Sequence, residues 1–254
     1  MSKSSDTHGK TKEEEEEEKI EEEEKVEEEE EGDSASHCDE PVEGVESILD
    51  RIDEYFTIAV ASKRNSGKTV LITQLLKALI KARPGLMVLV MSGTAGLNKD
   101  YDFLPKELVI PFNEHILSKI WKRQAGIEQE KRQHVLVVLD DCLATPEAIR
   151  SNMVQTVFTK GRHVAISMIV ISQIANYLLT PTMKQNSDII LWSKLNRQQI
   201  ETLWEAITNV DKKSFIRLCE ALGGKDYNFL LYDNYSKSTD PLEFLAVIRA
   251  DAPK

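Results

Sequence analysis

SKRNSGKT, residues Ser62–Thr69, is the stretch that decides the fold. It follows a short apolar run rich in β-formers, Phe56–Ala61, and leads into Lys68–Lys81, where apolar residues recur at helical spacing. A loop between a buried strand and a helix matches the phosphate-binding pattern GxxxxGK[ST] at its Gly-Lys-Thr end. The first position departs from the pattern, because Ser62 stands where glycine is expected. The stretch therefore predicts a site for nucleotide phosphates.

Every position of this loop is a candidate nucleotide-binding residue. Its backbone N–H groups are expected to point at the phosphates, and the positive end of the following helix adds to the attraction. Lys68 is expected to reach the β- and γ-phosphate oxygens, and Thr69 to offer its hydroxyl to Mg²⁺. Serine is small, so the departure at the first position predicts an intact but less ideal site. The candidates are Ser62, Lys63, Arg64, Asn65, Ser66, Gly67, Lys68 and Thr69.

A second motif, Val135–Asp141 (VLVVLDD), is a buried-strand run that ends in two carboxylates. At such a phosphate site an acid in this position holds Mg²⁺, usually through water, and Asp140 is assigned that role. Asp141 follows where a carboxylate could polarise the attacking water as a general base. The alternative is that Asp141 caps the next helix or turn, since aspartate is a favoured turn residue.

A third motif, Lys160–Gln173 (KGRHVAISMIVISQ), is a strand preceded by Arg162 and ending in Ser172-Gln173. In additional-strand P-loop ATPases the corresponding strand lies between the P-loop strand and the acidic strand. Gln173 is therefore expected to face the γ-phosphate and to hydrogen-bond the attacking water; a loop-capping glutamine is the alternative. Arg162 lies at the opposite end of the strand, so a catalytic role would be exerted in a neighbouring subunit, as an arginine finger. A structural or DNA-contacting arginine is the other interpretation.

Short apolar strands alternate with helical segments along the rest of the chain. This alternation predicts an α/β fold with a mostly parallel sheet and helices on both faces. Together with the three motifs, it resembles the RecA/FtsK-like (additional-strand) class of P-loop NTPases. Further strands are expected at Leu86–Met91, Leu108–Ile110, Asp188–Trp192, Asn228–Tyr232 and Phe244–Arg249. Helices are expected over Glu114–Lys131, Glu147–Lys160, Arg197–Thr208 and Asp211–Leu222.

The acidity of the chain is concentrated at its N-terminus. The net charge is −11, yet residues 1–40 hold 19 acidic side chains against 5 lysines, so the remainder is slightly basic. A body of mixed charge neither demands nor excludes a nucleic-acid partner. The glutamate-rich segment has too little apolar surface to offset the entropy of ordering. We therefore predict a disordered tail over residues 1–45 and a P-loop ATPase domain over residues 46–254.

Other features of the composition exclude several classes of protein. Cys38, Cys142 and Cys219 show no CxxC spacing, which argues against a zinc site or a disulfide framework and fits a reducing compartment. No apolar run reaches the roughly 18 residues that span a bilayer. The polar N-terminus is not a secretory signal. Together these features predict a soluble intracellular protein with no membrane span.

Three stretches in this order resemble the DNA-packaging ATPases of the large nucleocytoplasmic DNA viruses, a branch of the FtsK–HerA superfamily that includes the poxvirus packaging protein. They are SGKT at Ser66–Thr69, LDD at Leu139–Asp141, and GRH at Gly161–His163 followed by Ser172-Gln173. The last element discriminates, because many P-loop families share the first two. The resemblance covers roughly residues 52–235 and leaves out the acidic tail.

The resemblance implies a motor that hydrolyses ATP with Mg²⁺, forms a homo-oligomeric ring and drives double-stranded DNA into a capsid, in contact with capsid or portal-region proteins. The location it implies is the host-cell cytoplasm, in virus factories, and the virion. Carried over to this sequence, it assigns phosphate and magnesium binding to Lys68 and Thr69, the acidic pair to Asp140 and Asp141, the sensor to Gln173 and the finger to Arg162.

Three other functions stay open on the sequence. One is another FtsK–HerA-type DNA translocase, such as a cellular or plasmid pump. A second is a nucleotide-dependent signalling switch of the NB-ARC type, which also has a strand ending in LDD. Its P-loop carries extra glycines, however, and an arginine-containing sensor where Gln173 stands here. A third is a nucleotide-binding structural protein, which the acidic pair and Gln173 disfavour.

Overall fold

The computed structural model describes residues 42–97, 99–142, 148, 151–173, 180–205, 211–223, 225–238 and 241–252. The strands in these residues are β1 Val42–Gly44, β2 Thr57–Ser62, β3 Met87–Ser92, β4 Val109–Ile110, β5 Val135–Asp140, β6 Ile166–Ser172, β7 Ile189–Ser193, β8 Asn228–Asp233 and β9 Leu245–Arg249. The α-helices are α1 Lys68–Ala82, α2 Glu114–Ala125, α3 Asn152–Lys160, α4 Pro181–Asn186, α5 Arg197–Trp204, α6 Lys212–Gly223 and α7 Pro241–Phe244. Short 3-10 helices lie at Val45–Arg51, Lys106–Leu108, Gln129–Lys131 and Gly161–Val164.

These strands form one sheet in the order β1-β9-β8-β7-β2-β6-β5-β3-β4. β8 runs antiparallel to both neighbours, and the other pairings are parallel. β6 lies between β2 and β5, which confirms the position predicted for the strand of the third motif. Consequently β2, β5 and β6 end close together, at Ser62, Asp140 and Ser172. We call this the carboxyl end of the sheet and the opposite one the amino end.

Two apolar layers cover the sheet, because successive side chains of a strand face opposite sides. Leu136 and Val138 of β5 pack in the layer that contains α1. Val137 and Leu139 pack in the layer that contains α3. Asp140 continues the row of Leu136 and Val138, so the alternation places it on the side of α1. The strand pattern therefore decides which of the two acidic residues faces the helix of the phosphate loop.

Helix α1 follows the phosphate loop without a break and is anchored by one apolar face. Each fully buried leucine or isoleucine on that face stabilises the fold by about 1.5–3 kcal/mol relative to an exposed one. The helix ends where the sequence places Pro84-Gly85, and Gly85 has φ 90 in the turn to β3. The buried positions are Leu71, Ile72, Leu75, Leu76 and Leu79.

Two boundaries differ from the sequence prediction. The outer helix expected over Glu114–Lys131 ends at Ala125. The backbone N–H of Gly126 donates to the carbonyl oxygens of Lys122 and Arg123 in the last turn of the helix, and a separate 3-10 turn follows. Glycine is a poor helix former because its backbone loses the most freedom on ordering. At the other end, β1 lies before the predicted domain boundary at residue 46 and pairs with β9, Val42 opposite Val247.

Several predicted features fall outside the described residues. They include residues 1–41 of the predicted tail, residues 147, 149 and 150 at the start of the helix expected at Glu147–Lys160, and residues 206–208 at the end of the helix expected at Arg197–Thr208. Within the described ranges, helix length and apolarity fall short of what crossing a membrane requires.

Candidate nucleotide-binding site

The loop between β2 and α1 borders an open cavity of about 380 Å³ at the carboxyl end of the sheet. β2 ends at Ser62 and α1 begins at Lys68, which confirms the strand–loop–helix arrangement read from the sequence. Parts of all three motifs reach this cavity, because β2, β5 and β6 are neighbours that end together. The lining residues are Arg64, Asn65, Ser66, Gly67, Lys68, Thr69, Val70, Asp141, Gln173 and Tyr227.

Two residues of the loop have a left-handed backbone, Asn65 with φ 58 and Gly67 with φ 90. Glycine adopts this conformation without steric cost, whereas other residues do so rarely. A Cβ atom on Gly67 would also lie 2.5 Å from Cδ1 of Tyr227. Glycine is therefore required here for the backbone and for the approach of the tyrosine ring.

Ser62 and Lys63 do not reach the cavity wall in the described structure. The Ser62 side chain is fully buried at the end of β2. Its hydroxyl lies 2.5 Å from the hydroxyl of Ser66 and 3.0 Å from the carbonyl oxygen of Ser193. The serine that replaces the expected glycine thus ties the loop to β7, and Lys63 is exposed. Of the eight predicted binding positions, Arg64–Thr69 are the ones that line the cavity.

Lys68, Asp141 and Gln173, predicted as catalytic from three separate motifs, are in direct contact. Nζ of Lys68 lies 3.9 Å from Oδ1 of Asp141. The Gln173 side-chain amide donates to the same carboxylate, 3.0 Å from Oδ1 and 2.9 Å from Oδ2. Burial lowers the pKa of Lys68, and the nearby Asp141 and Asp140 oppose that shift. The site therefore joins a cation, a carboxylate and an amide at one wall of the cavity.

The turn after β5 holds Asp141 in an unusual backbone conformation, with φ 46. Gly93, just after β3, packs against it: a Cβ on Gly93 would lie 2.5 Å from the carbonyl oxygen of Asp141. The Gly93 amide donates to the Asp140 carbonyl at 3.1 Å, and the Cys142 thiol donates to the Met91 carbonyl at 2.8 Å. The turn is fixed to β3 on both sides, which aims the Asp141 side chain into the cavity.

Asp140 is 6% exposed, and its Oδ2 accepts a hydrogen bond of 2.7 Å from the hydroxyl of Tyr101. Burial raises the pKa of this carboxyl group, and the Tyr101 hydrogen bond opposes the rise. Burial and the nearby charge of Asp140 raise the pKa of the Tyr101 hydroxyl. This hydroxyl therefore stays protonated and acts as the donor. Asp140 is thus held at the carboxyl end of β5 but does not line the open cavity itself.

The residues predicted for Mg²⁺ supply oxygen donors, which suit this hard cation. Thr69, whose side chain carries a hydroxyl, lines the cavity. Asp140 ends β5 in the same row as Leu136 and Val138, which pack in the layer that contains α1. Across the described ranges, groups of three or more His, Cys, Asp or Glu side chains able to hold a metal are absent. A hydroxyl and a carboxylate fit a cation whose remaining ligands would be phosphate oxygens and water, as is usual for Mg²⁺ at nucleotide sites.

Arg162 lies at the amino end of the sheet, away from the phosphate loop. It precedes β6, and its guanidinium donates to the Tyr235 hydroxyl at 2.5 Å and lies 3.7 Å from Oδ1 of the buried Asp188. Oδ2 of Asp188 accepts from the Thr57 amide at 2.6 Å, at the start of β2. The structure therefore does not bring Arg162 to the cavity of its own chain, in agreement with its position before the strand.

Sequence reasoning missed Tyr101, Tyr227 and Tyr235 as residues of these sites. Tyr227 and Tyr235 flank β8, and this strand brings them to opposite ends of the sheet. Because β8 is antiparallel to β7, its first residue lies at the carboxyl end of the sheet, near the phosphate loop, and its last residue lies at the amino end. The sequence did not reveal this direction. These tyrosines belong to no motif in the sequence, so no sequence pattern identified them.

The sequence profile of the family described as poxvirus A32 protein matches residues 48–226. The chain belongs to this family. The match includes the phosphate loop, the acidic pair and Gln173, and it confirms the resemblance read from the three motifs. It ends at the residue before Tyr227, so that cavity residue lies just outside the matched range of this A32-family chain.

Two curated relatives of this A32-family chain come from Frog virus 3 and Invertebrate iridescent virus 6. Protein 015R of Frog virus 3 is 27% identical over 192 residues, which cover 72% of this chain and 58% of the relative. Protein 075L of Invertebrate iridescent virus 6 is 27% identical over 185 residues, 70% of each chain. The chain therefore spans little more than half the length of the first relative.

Solved structures share the fold of this A32-family chain. The genome packaging NTPase B204 of Sulfolobus turreted icosahedral virus 2, in complex with AMP, has a TM-score of 0.58 at 15% identity; the match covers 79% of this chain and 100% of B204. The pCW3 conjugation coupling protein TcpA has a TM-score of 0.53 at 16% identity, with 78% and 60% coverage. The ATPase EccC of Thermomonospora curvata has a TM-score of 0.53 at 15% identity, with 76% and 25% coverage. These likenesses confirm the predicted P-loop ATPase fold with a mostly parallel sheet.

Proposed function

We propose that this chain is an ATP-hydrolysing motor that moves double-stranded DNA into viral capsids. The observation that carries the proposal is the contact of Lys68, Asp141 and Gln173 beside the phosphate-loop cavity. Binding of a nucleotide without turnover requires the lysine, whereas a carboxylate and an amide in contact at the wall of the same cavity suit the activation of an attacking water. Membership of the A32 family and the likeness to a viral genome packaging NTPase support the viral and DNA-directed part of the proposal.

Hydrolysis would divide the work among these residues. Lys68 neutralises charge on the transferring phosphoryl group, and its burial strengthens that interaction because the local dielectric is low. Asp141 accepts a proton from the attacking water, and Gln173 orients that water and holds the carboxylate. The ground-state contact between Lys68 and Asp141 has to lengthen when phosphate enters, which frees the carboxylate for the water.

Mg²⁺ would be held by the hydroxyl of Thr69 and, through water, by Asp140. When bound, it supplies positive charge that stabilises the developing negative charge on the phosphoryl oxygens. The side chains present fit this role, as oxygen donors on two neighbouring elements, α1 and β5. ATP and Mg²⁺ are thus the cofactors that the proposal requires.

The motor part of the proposal requires a ring of identical subunits. Arg162 supports it, because this cation is 39% exposed at the amino end of the sheet and is held there by Tyr235 and Asp188. A cation fixed at the surface, far from its own cavity, is suited to complete the site of a neighbouring subunit as an arginine finger. Arg162, Lys68, Asp141 and Gln173 then form one composite site at each subunit contact.

The proposed partners are double-stranded DNA and capsid or portal-region proteins, and the proposed location is the host-cell cytoplasm, in virus factories, and the virion. DNA contact in such motors is made largely to phosphates and is therefore weakened by salt. We expect ATPase activity to rise on addition of double-stranded DNA and to lose that response as salt is increased.

Alanine substitutions of Lys68 and Lys63, two lysines of the phosphate loop, test whether the proposed site hydrolyses ATP. Lys68→Ala is expected to abolish hydrolysis and phosphate release in the purified full chain. Lys63→Ala is the matched control, because Lys63 is exposed and lies off the cavity wall. Equal activity of the Lys68 variant and wild type contradicts the site. Activity without a response to double-stranded DNA, in protein shown to be assembled by light scattering, contradicts the motor.

A further inference from the structure

Tyr101 is a buried tyrosine that the phosphate-loop mechanism does not use. It is 3% exposed and belongs to the apolar layer on the side of α1, although it comes from the irregular segment after β3. Its hydroxyl donates to Oδ2 of Asp140 at 2.7 Å. A tyrosine hydroxyl buried this deeply needs a hydrogen-bond acceptor, but burial alone does not explain which one, since a backbone carbonyl oxygen would be sufficient. The partner here is the carboxylate proposed for magnesium.

The segment around Tyr101 is fastened to α1, so the position of its hydroxyl is fixed. The Thr73 hydroxyl of α1 donates to the Asp100 carbonyl at 3.3 Å. One turn further along α1, Nζ of Lys77 lies 5.2 Å from the centre of the Phe103 ring. The Leu104 amide closes the turn by donating to the Tyr101 carbonyl at 2.9 Å. The helix that carries Thr69 therefore also sets where the Tyr101 hydroxyl lies.

We propose that Tyr101 is a positioning residue for the magnesium site, and that its hydroxyl holds the Asp140 carboxylate in one orientation. A carboxylate at the end of a strand can rotate about its terminal bond, since that torsion is broad. The hydrogen bond to Oδ2 selects one rotation of the carboxylate, and the other oxygen would then be available to help hold a cation. Hydrogen-bond partners of metal-binding groups commonly change metal affinity by about 10- to 100-fold when removed. This inference rests on the proposed ATPase function and deepens it.

The test is Tyr101→Phe, which removes one oxygen and keeps the buried ring. ATP binding is measured with and without Mg²⁺, and binding of Mn²⁺ in the presence of ATP is followed by the loss of the free Mn²⁺ signal in electron paramagnetic resonance. We expect the half-saturating concentrations of Mg²⁺ and Mn²⁺ to rise by about tenfold. ATP affinity measured in EDTA is expected to stay within twofold of wild type.

Two variants set the scale of the measurement. Tyr232→Phe is the matched control, a partly buried tyrosine of β8 whose ring packs edge-on at 5.9 Å from Phe244 and away from the cavity. Asp140→Asn sets the limit, since it removes the carboxylate charge. The inference predicts that Tyr101→Phe lies between these two in metal dependence.

The outcomes separate the inference from the function beneath it. An unchanged metal requirement in Tyr101→Phe overturns the positioning role while leaving the ATPase in place. An equal loss of ATP affinity with and without metal assigns Tyr101 to packing and overturns the inference as well. Wild-type protein that hydrolyses no ATP in the presence of Mg²⁺ overturns the proposed function together with the inference.

Discussion

The side-chain amide of Gln173 donates to both carboxylate oxygens of Asp141, with Nε2 at 3.0 Å from Oδ1 and 2.9 Å from Oδ2. The two residues are far apart in sequence and follow adjacent parallel strands, β6 and β5. Their contact is the consequence of inserting β6 between β2 and β5. It holds a carboxylate, whose backbone is itself fixed at φ 46, against the wall of the nucleotide cavity.

Replacing Gln173 by glutamate should impair turnover more than binding. The variant places a second carboxylate within hydrogen-bond distance of Asp141, and two like charges at that separation force one of them to take up a proton. We expect kcat to fall by at least tenfold, with ATP affinity changed less than threefold. Steady-state kinetics and equilibrium binding on the same preparation check this. Gln198→Glu makes the same charge change at an exposed position of α5 and should leave both constants unchanged.

Gly67→Ala should weaken nucleotide binding strongly, through two separate effects. The first is the left-handed backbone, φ 90, and the second is the clash of the new methyl group with Tyr227. Gly85 offers a control, because it has the same φ of 90 and open space around its missing side chain. We expect Gly85→Ala to lower the free energy of unfolding by about 1 kcal/mol and leave binding intact.

The comparison of the two glycines isolates the tyrosine contact. Gly67→Ala should lower the free energy of unfolding in urea by more than Gly85→Ala does. It should also weaken ATP binding by over tenfold. Equal costs in the two variants would mean that the Tyr227 ring moves aside freely. The double variant Gly67→Ala with Tyr227→Ala should recover part of the extra loss of stability, since the clash is gone and only the backbone cost remains.

Stability should decrease in mild acid through His134. Burial and the charge of Arg83 lower the pKa of this histidine to about 4 in the folded protein, below its ordinary value of 6.5. The unfolded chain therefore binds the proton first, and the stabilisation present above pH 6.5 is lost as the pH falls from 6.5 towards 4. Allowing for the partial exposure of the ring, we expect about 2 kcal/mol.

The measurement is the free energy of unfolding in urea at pH 7 and pH 5. His134→Gln keeps a group that can hydrogen-bond Ser167, which lies 2.8 Å from Nε2 in the wild type. Its loss of stability between the two pH values should be smaller than that of wild type. His115→Gln, at an exposed position of α2, serves as the control and should follow wild type. If the free energy of unfolding falls equally between pH 7 and pH 5 in all three proteins, His134 is not the cause of the loss.

Arg162 should act across a subunit contact. Arg162→Ala is expected to retain ATP binding and to lower the rate of hydrolysis by roughly a thousandfold or more, as for other arginine fingers. Mixing it with inactive Lys68→Ala should restore part of the activity, because some contacts then pair an intact cavity with an intact arginine. Mixtures that stay inactive, in assemblies shown to contain both variants, would assign Arg162 to the stability of the Asp188 site instead.

Local sequence was sufficient for the elements that carry the chemistry. A buried strand, a Gly-Lys-Thr loop and a helix with one apolar face are each set by neighbouring residues, and the structure has them at Thr57–Ser62 and Lys68–Ala82. The end of α2 at Ala125 was missed, because the polar residues that follow are good helix formers and only Gly126 opposes them. Helices and strands with a regular spacing of apolar residues can be predicted from the sequence, whereas their ends depend on where the chain must turn.

The sequence by itself determined the phosphate loop, the acidic pair and the separation of Arg162 from Gln173, because each follows from the order of residues along one strand and its flanks. Tertiary structure decided which of these groups touch. The order of the strands brought Gln173 into contact with Asp141. The antiparallel β8 brought Tyr227 to Gly67 at one end of the sheet and Tyr235 to Arg162 at the other. Packing on α1 placed the Tyr101 hydroxyl against Asp140. These contacts join residues distant in sequence, and only the burial of a shared core fixes such pairs, since no local pattern encodes them.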